Sequence, residues 1–122
     1  MLVLVEDTIE WLLEIEPKLG GIWVVSDINP IHWHAAREWL LKSGLTQIKG
    51  ATLSYELGAV KPDATIFEDA LERSGASPSD VLFVDDRAIN TKGAERLGIT
   101  GLQFVGASHA RTIAEPWLKA RR

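Results

Sequence analysis

Two short runs of the chain are apolar at every position, and segments with helix signals lie around them. The runs are Ile22–Val25 and Val81–Val84, and each is bounded by glycine or polar residues. A continuous apolar run of this length is typical of a strand that is buried on both faces. Ile99–Val105 and Ala51–Tyr55 predict two further strands. Leu2–Val5 is also apolar, and its pattern fits either a short strand or the packed start of a helix.

Helix signals fill the segments between the strands. Residues that cap helix N-termini precede most of these segments, and glycine follows most of them. Helices are predicted from Thr8 to about Leu19, from Pro30 to about Ser43, from Thr65 to Arg73, from Ala88 to about Leu97 and from Ser108 to Lys119, with Asp7, Asn29, Asp63 and Ser108 as N-caps. The expected apolar faces are Ile9, Leu12, Leu13, Ile15 and Leu19 on the first helix and Ile31, Ala35, Trp39 and Leu40 on the second. Pro17 should weaken the last turn of the first helix.

The alternation of strands and helices predicts an α/β fold. Because the strands do not alternate apolar and polar residues, we expect a mainly parallel sheet with helices on both faces. The chain of 122 residues has the length of one domain, so residues 1–122 are predicted to form a single core. Ligands of such sheets bind at the carboxyl ends of strands. The polar residues that directly follow strands are therefore the candidates for a functional site.

Composition and charge exclude several classes of protein. The chain has 13 Lys and Arg against 17 Asp and Glu, a formal net charge of −4, which argues against a nucleic-acid binder with a general basic field. It has no cysteine, which excludes a disulfide scaffold, a thiolate zinc site and a cysteine nucleophile. The apolar start, Met1–Val5, is too short for a signal-peptide core or a membrane span. We therefore expect a cytoplasmic protein that binds neither nucleic acid nor membrane.

Two of the candidate sites carry groups that could bind an anion. The segment from Ser26 to Asn29, which includes Asp27, lies between a strand and a helix N-terminus, where backbone N–H groups attract phosphate. Plain N-capping by Asn29 explains this segment equally well. Lys61 precedes Pro62 near the start of the next helix and places a positive charge there. A single lysine is usually exposed to solvent, so Lys61 alone carries little weight.

The third candidate site is a pair of carboxylates that follows the strand Val81–Val84. Asp85 and Asp86 are adjacent, and Asn90 lies four residues further on. Two adjacent carboxylates repel each other unless a cation or a lysine offsets their charge. Oxygen ligands of this kind suit Mg²⁺. An acidic turn that caps the next helix would account for one aspartate but hardly for both, so we favour a metal site.

The three sites, taken together and in this order, resemble the haloacid dehalogenase superfamily of phosphatases and related hydrolases. Ser26 matches its second motif, Lys61-Pro62-Asp63 its third, and Asp85-Asp86 with Asn90 its fourth. The resemblance extends from about Thr8 to Phe104 and implies a three-layer α/β/α Rossmann-like core. It also implies a phosphate site and a Mg²⁺ site, for a small phosphorylated or otherwise anionic ligand. The phosphate site comprises Ser26, Asp27 and Lys61, the metal site Asp85 and Asp86, and Asn29 and Asn90 support them.

The first motif of that family is absent from its expected place. It consists of an aspartate nucleophile and a second aspartate two residues on, and no such pair precedes Ser26. Glu6-Asp7-Thr8 is the only candidate, and each alignment of it leaves Leu4 or Ile9 where an acid belongs. Asp27 also replaces an asparagine that is common after the serine. Covalent phosphoryl transfer needs a carboxylate in line with phosphorus. We therefore expect little or no turnover from this chain by itself, and no cap domain.

Three functions follow from these matches and remain open. The chain is a truncated hydrolase core, a non-catalytic phosphate-binding or interaction module, or a subunit that a partner or a second copy completes. Loss of the first strand would leave a slot between the strands at Ile22 and Val81, with unpaired backbone groups. Either Leu2–Val5 fills this slot, or the two strands close up, or another chain enters. The last alternative predicts a homodimer or a complex with a partner.

Two other interpretations are set aside. His32 and His34 lie on different faces of their predicted helix, so joint binding of a metal by this helix is not expected. Asp85-Asp86 also resembles the acidic start of a receiver domain, in which a phosphorylated aspartate follows about two strands later. Only 36 residues follow Asp86, and none of them is aspartate. The receiver interpretation therefore fails on length.

Overall fold

The computed structural model describes residues 9–121, and helices and strands alternate along this range. The helices are α1 (Ile9–Ile15), α2 (Pro30–Leu41), α3 (Ser54–Leu57), α4 (Ala64–Ser74), α5 (Ala88–Glu95) and α6 (Ala107–Lys119), and the strands are β1 (Ile22–Ser26), β2 (Ile48–Leu53), β3 (Leu82–Asp85) and β4 (Thr100–Gln103). The predicted order of elements is confirmed, with short α3 as an addition. The predictions for Leu2–Val5, the Asp7 cap and the helix start at Thr8 lie outside the described residues.

The four described strands form two parallel pairs. β1 pairs with β2, with Ser26 opposite Leu53 at the carboxyl end. β3 pairs with β4, with Asp85 opposite Gln103 at the same end. Within residues 9–121, β1 and β3 are not hydrogen-bonded to each other. Closing up of these two strands is therefore excluded among the three alternatives for the slot.

Both strand pairs nevertheless pack against the same two layers of helices. One core cluster joins Ile22 of β1 and Leu82 of β3 to α1 and α6, and we call this side the α1/α6 face. The other joins Val25 of β1 and Phe83 of β3 to α4 and α5, on the α4/α5 face. Because alternate residues of a strand point to opposite faces, this sorting places β1 and β3 in one layer. The prediction of a three-layer α/β/α arrangement with parallel strands is confirmed.

Helix α1 is shorter than predicted and presents a different side chain to the core. It ends at Ile15, and a 3-10 turn that contains Pro17 follows, which agrees with the expected weakening of this turn. Trp11 is buried against the core, whereas Leu13 is exposed. The expectation that Leu13 belongs to the apolar face is therefore wrong. Residues 11, 12 and 15 share one side of a helix by their spacing, and Leu13 lies beyond that side.

Helix α2 begins as predicted but does not bury the expected face. The Asn29 side chain accepts the backbone N–H of His32 at 2.8 Å, and Pro30 is the first helical residue. Leu40 is the buried residue of this helix, whereas Ile31 is 81% exposed. The predicted stripe that includes Ile31 and Trp39 is wrong for the described part of the chain. Spacing identifies a helical face, but burial requires another element to cover it.

Two predicted N-caps are also corrected. Asp63 stands at the N-cap of α4, but its side chain makes no capping hydrogen bond. Helix α6 begins at Ala107, with Gly106 at the N-cap, so Ser108 lies within the first turn. The predicted stop at Gly75 is confirmed, because this residue has a left-handed φ of 73° and its N–H donates to the Leu71 carbonyl.

Candidate functional site

Three segments meet at the carboxyl ends of β1 and β3. The Lys61 ammonium nitrogen lies 2.9 Å from Asp85 Oδ2, and the Lys61 backbone N–H donates to Asp27 Oδ1 at 2.9 Å. Asp27 directly follows β1, and Asp85 is the last residue of β3. One lysine residue therefore links the ends of both strands, and three of the predicted site residues lie together.

Asp85 is the most enclosed carboxylate of this group, with 2% of its side chain exposed. Besides Lys61, it accepts the backbone N–H of Arg87 at 2.8 Å on Oδ1 and Asn90 Nδ2 at 3.2 Å on Oδ2. Burial by itself raises the pKa of Asp85. The hydrogen bond from the Arg87 N–H and the charge of the Lys61 ammonium group lower it by more, so the pKa lies below its ordinary value. The carboxylate is therefore ionised at neutral pH, and the Lys61 charge balances it.

Asn90 lies beside Asp85 and is almost completely buried. Its amide nitrogen donates to Asp85, while its amide oxygen is buried without a hydrogen-bond partner among the described residues. Buried polar atoms are usually paired, because an unpaired acceptor loses its hydration without compensation. A donor or a cation that reached this oxygen would satisfy it.

The remaining predicted residues are placed less centrally. Ser26 is half-buried at the end of β1, and Asp86 is exposed. The Asn29 side chain is engaged in capping α2, as the simpler interpretation of its segment expects. Within residues 9–121, no group of three or more His, Asp or Glu side chains is arranged to hold a metal ion. Among these residues, no third His, Asp or Glu side chain joins the predicted Mg²⁺ ligands Asp85 and Asp86.

Ser54 is a further polar residue near the end of β1, and no motif in the sequence pointed to it. Its hydroxyl accepts the Ile28 backbone N–H at 2.8 Å and lies 3.2 Å from the Ile28 carbonyl, to which it donates. These contacts join the loop after β1 to the first residue of α3. The available signal was its position, because Ser54 directly follows β2 as Asp27 follows β1.

Helix α5 lies against the loop that carries Lys61. Gly93 in this helix is so close to the loop that a Cβ atom would lie 2.6 Å from Pro62 Cβ and 3.0 Å from the Pro62 carbonyl oxygen. Glycine in a helix interior costs about 1 kcal/mol relative to alanine. The close approach to Pro62 explains why this position has no side chain.

We expect Gly93→Ala to lower the free energy of unfolding by about 1–3 kcal/mol, because overpacking outweighs the gain in helix propensity. Urea denaturation of the variant measures this change. Gly20→Ala is the control, because no atom of residues 9–121 lies within 4 Å of a Cβ placed there. A Gly93→Ala variant as stable as the parent chain would contradict the role given to this contact.

Several known proteins are similar to this chain. A sesquiterpene phosphatase of Aspergillus oryzae is 27% identical over 93 residues, which are 76% of this chain and 46% of that protein. A wild-type enzyme of the HAD family from Bacteroides thetaiotaomicron, crystallised with magnesium and inorganic phosphate, is 28% identical with a TM-score of 0.62. That match covers 78% of this chain and 50% of the enzyme. The chain thus spans about half the length of both relatives.

A third match concerns the fold alone. An uncharacterized protein from Corynebacterium glutamicum has a TM-score of 0.79 at 20% identity, over 97% of this chain and 92% of that one. No helix among the described residues is long and apolar enough to cross a membrane.

A model of the haloacid dehalogenase-like hydrolases matches residues 2–98, which are most of the sequence. By this match, the chain belongs to the haloacid dehalogenase-like hydrolase family.

Proposed function

We propose that this chain is the phosphate-binding part of a hydrolase core and turns over phosphate esters slowly or not at all by itself. The observation that carries the proposal is the contact between Lys61 and Asp85. The lysine side chain is only 10% exposed and stands where two parallel strands end. A nearly buried ammonium group at this edge of a sheet is suited to hold an anion.

The phosphate would lie against the Lys61 ammonium group and the Ser26 hydroxyl. Ser26 ends β1 and is half-buried, so its hydroxyl can donate at this edge. Asp27 would act differently, because a carboxylate repels an anion. Its hydrogen bond from the Lys61 backbone N–H positions the lysine and does not contribute to binding the phosphate directly.

Mg²⁺ would be held by Asp85 and Asp86. This ion binds proteins through one or two carboxylates and keeps several waters, which the pair satisfies. The unpaired Asn90 oxygen beside Asp85 is a further oxygen donor in the described structure. Lys61 competes for the Asp85 charge, so the affinity is expected to be low. When bound, the ion would neutralise charge on a phosphoryl group. The magnesium in the Bacteroides relative supports Mg²⁺ as the ion.

Slow turnover follows from how the carboxylates near Lys61 are engaged. Covalent transfer needs a free carboxylate in line with phosphorus. Asp27 accepts the Lys61 backbone N–H, and Asp85 pairs with the ammonium group. Neither of these two is therefore available as a nucleophile in the described arrangement. A non-catalytic binding module shares this prediction, and only a chain with a competent nucleophile would hydrolyse a phosphate ester faster than the buffer does.

Calorimetric titration of inorganic phosphate in the presence of MgCl₂ tests the binding. We expect weak binding by the parent chain and about tenfold weaker binding by Ser26→Ala, because one donor to the anion is lost. Ser108→Ala, on α6, is the matched control and should bind as the parent does. Absence of phosphate binding by the folded parent chain would overturn the proposal.

Turnover is measured separately with an aryl phosphate. We expect a rate in the presence of Mg²⁺ that does not exceed that of the buffer. Steady hydrolysis that Asp86→Ala abolishes would show that the chain is a competent phosphatase, and the expectation of slow turnover would then be wrong.

A further inference from the structure

A cavity of about 580 Å³ lies at the amino ends of β1 and β3, at the opposite end of these strands from Lys61. It is lined by Ile22 and Trp23, which begin β1, and by Leu82, which begins β3. Cavities that bind small molecules usually measure about 300–1,000 Å³. A strand rises about 3.3 Å per residue, so about 13 Å separate the two ends of β1. The cavity is therefore distinct from the candidate phosphate site, and the proposed function does not use it.

The inner wall of the cavity is apolar and aromatic. Ile22 and Leu82 are each 1% exposed, and the indole rings of Trp23 and Trp117 also line the wall. The Trp23 ring is fixed, because its N–H donates to Thr52 Oγ1 at 3.0 Å. Aromatic rings pack favourably against other aromatic rings and bury a large apolar area. The wall therefore suits a ligand with an apolar, aromatic body.

The mouth of the cavity carries an excess of positive charge. Lys18 and Lys49 line it and are exposed to solvent. Arg121 and Asp80 line it as well, but these two lie 3.9 Å apart and offset each other's charge. Within residues 9–121, neither lysine forms an ion pair. Two uncompensated ammonium groups beside an apolar cavity attract an anion.

The two lysines stand on the same side of the mouth. Gly20 and Gly21 form part of the lining, and Lys18 precedes them by two residues. The stem of Lys49 lies against Gly21, since a Cβ atom on this glycine would be 2.9 Å from Lys49 Cγ. One anionic group at this side of the mouth would therefore be near both ammonium groups.

We propose that this cavity binds a small ligand with an aromatic body and one anionic group, such as a carboxylate. The aromatic body lies against Trp23 and Trp117, and the anionic group lies at the mouth beside Lys18 and Lys49. Burial of the ring system provides most of the affinity. The two lysines select an anion over a neutral molecule of the same shape.

Titration of naphthoate into the full chain tests the position of the ligand. Two-dimensional NMR reports each indole N–H separately. We expect the signals of Trp23 and Trp117 to shift, whereas those of Trp33 and Trp39, which do not line the cavity, stay unchanged. Signals of Trp23 and Trp117 that do not move, or equal shifts of all four, would contradict the proposal.

The selection of an anion is tested with a neutral ligand and with lysine variants. Naphthamide has the same ring system without the charge, and we expect it to bind about fivefold more weakly than naphthoate. Lys18→Met/Lys49→Met keeps the apolar stems and should lower the affinity for naphthoate by a similar factor. Lys42→Met/Lys92→Met is the matched control, because both residues are exposed and neither lines the cavity. Equal binding of the two ligands, or an unchanged affinity of the first double variant, would show that the assignment of an anion is wrong.

Competition with inorganic phosphate separates this cavity from the site at Lys61. The two sites lie at opposite ends of the strands, so an excess of phosphate should leave the affinity for naphthoate unchanged. Displacement of naphthoate by phosphate would place the ligand at Lys61 and overturn the proposal. The expected result does not depend on whether the chain binds phosphate, so the proposed function is tested independently.

Discussion

Replacing Lys61 with methionine is expected to lower the free energy of unfolding by about 3 kcal/mol, because it leaves the Asp85 carboxylate buried without its counter-charge. Methionine retains most of the apolar stem, so the change isolates the ammonium group. Asp85 keeps its hydrogen bonds from Arg87 and Asn90, which limits the loss. Urea denaturation at pH 7 measures the effect.

The double variant Lys61→Met/Asp85→Asn shows whether the loss comes from the unpaired charge. It removes both charges, so we expect it to be more stable than Lys61→Met alone. Lys119→Met is the control, because Lys119 is exposed on the last turn of α6. If Lys61→Met were as stable as the parent chain, the pair would carry no structural role, and the charge balance described above would be wrong.

Replacing Phe83 with alanine is expected to cost about 3–5 kcal/mol, because it opens a cavity in the core between β3 and the α4/α5 face. Phe83 is fully buried, and its ring packs edge-on against Phe67 with centroids 5.0 Å apart. Phe83 lies two residues before Asp85 on β3. If the strand moved to fill this cavity, the Asp85 carboxylate would move with it. Thermal and urea unfolding measure the loss of stability.

Val105→Ala is the matched control for this prediction. Val105 is 66% exposed, so its truncation should change the free energy of unfolding by less than about 0.5 kcal/mol. Phe83→Leu keeps most of the volume and should be intermediate. If Phe83→Ala were no less stable than Val105→Ala, the described core around Phe67 would be incorrect.

The strands were predictable because their signal is local. Ile22–Val25 and Val81–Val84 are apolar at every position, and a strand buried on both faces needs no other information to be identified. Both are strands of the structure within one residue of the predicted bounds. The stop at Gly75 and the cap at Asn29 were predictable for the same reason, since each depends on residues within one turn.

The apolar face of α2 was not predictable in this way. Ile31 and Trp39 have helical spacing, yet both are exposed in the described structure. Spacing shows which side chains share a side of a helix, whereas burial depends on which element packs there. The same limit applies to Leu13 in α1, where Trp11 takes the buried position.

The sequence by itself determined the element order, the parallel α/β class and the three segments that carry polar residues after strands. Each of these follows from short-range patterns or from motif order along the chain. Only the tertiary structure decided that Lys61 pairs with Asp85 and binds Asp27 through its backbone, and that β1 and β3 do not pair. These contacts join residues 24 or more positions apart, and their distances depend on how the packed layers bring strand ends together.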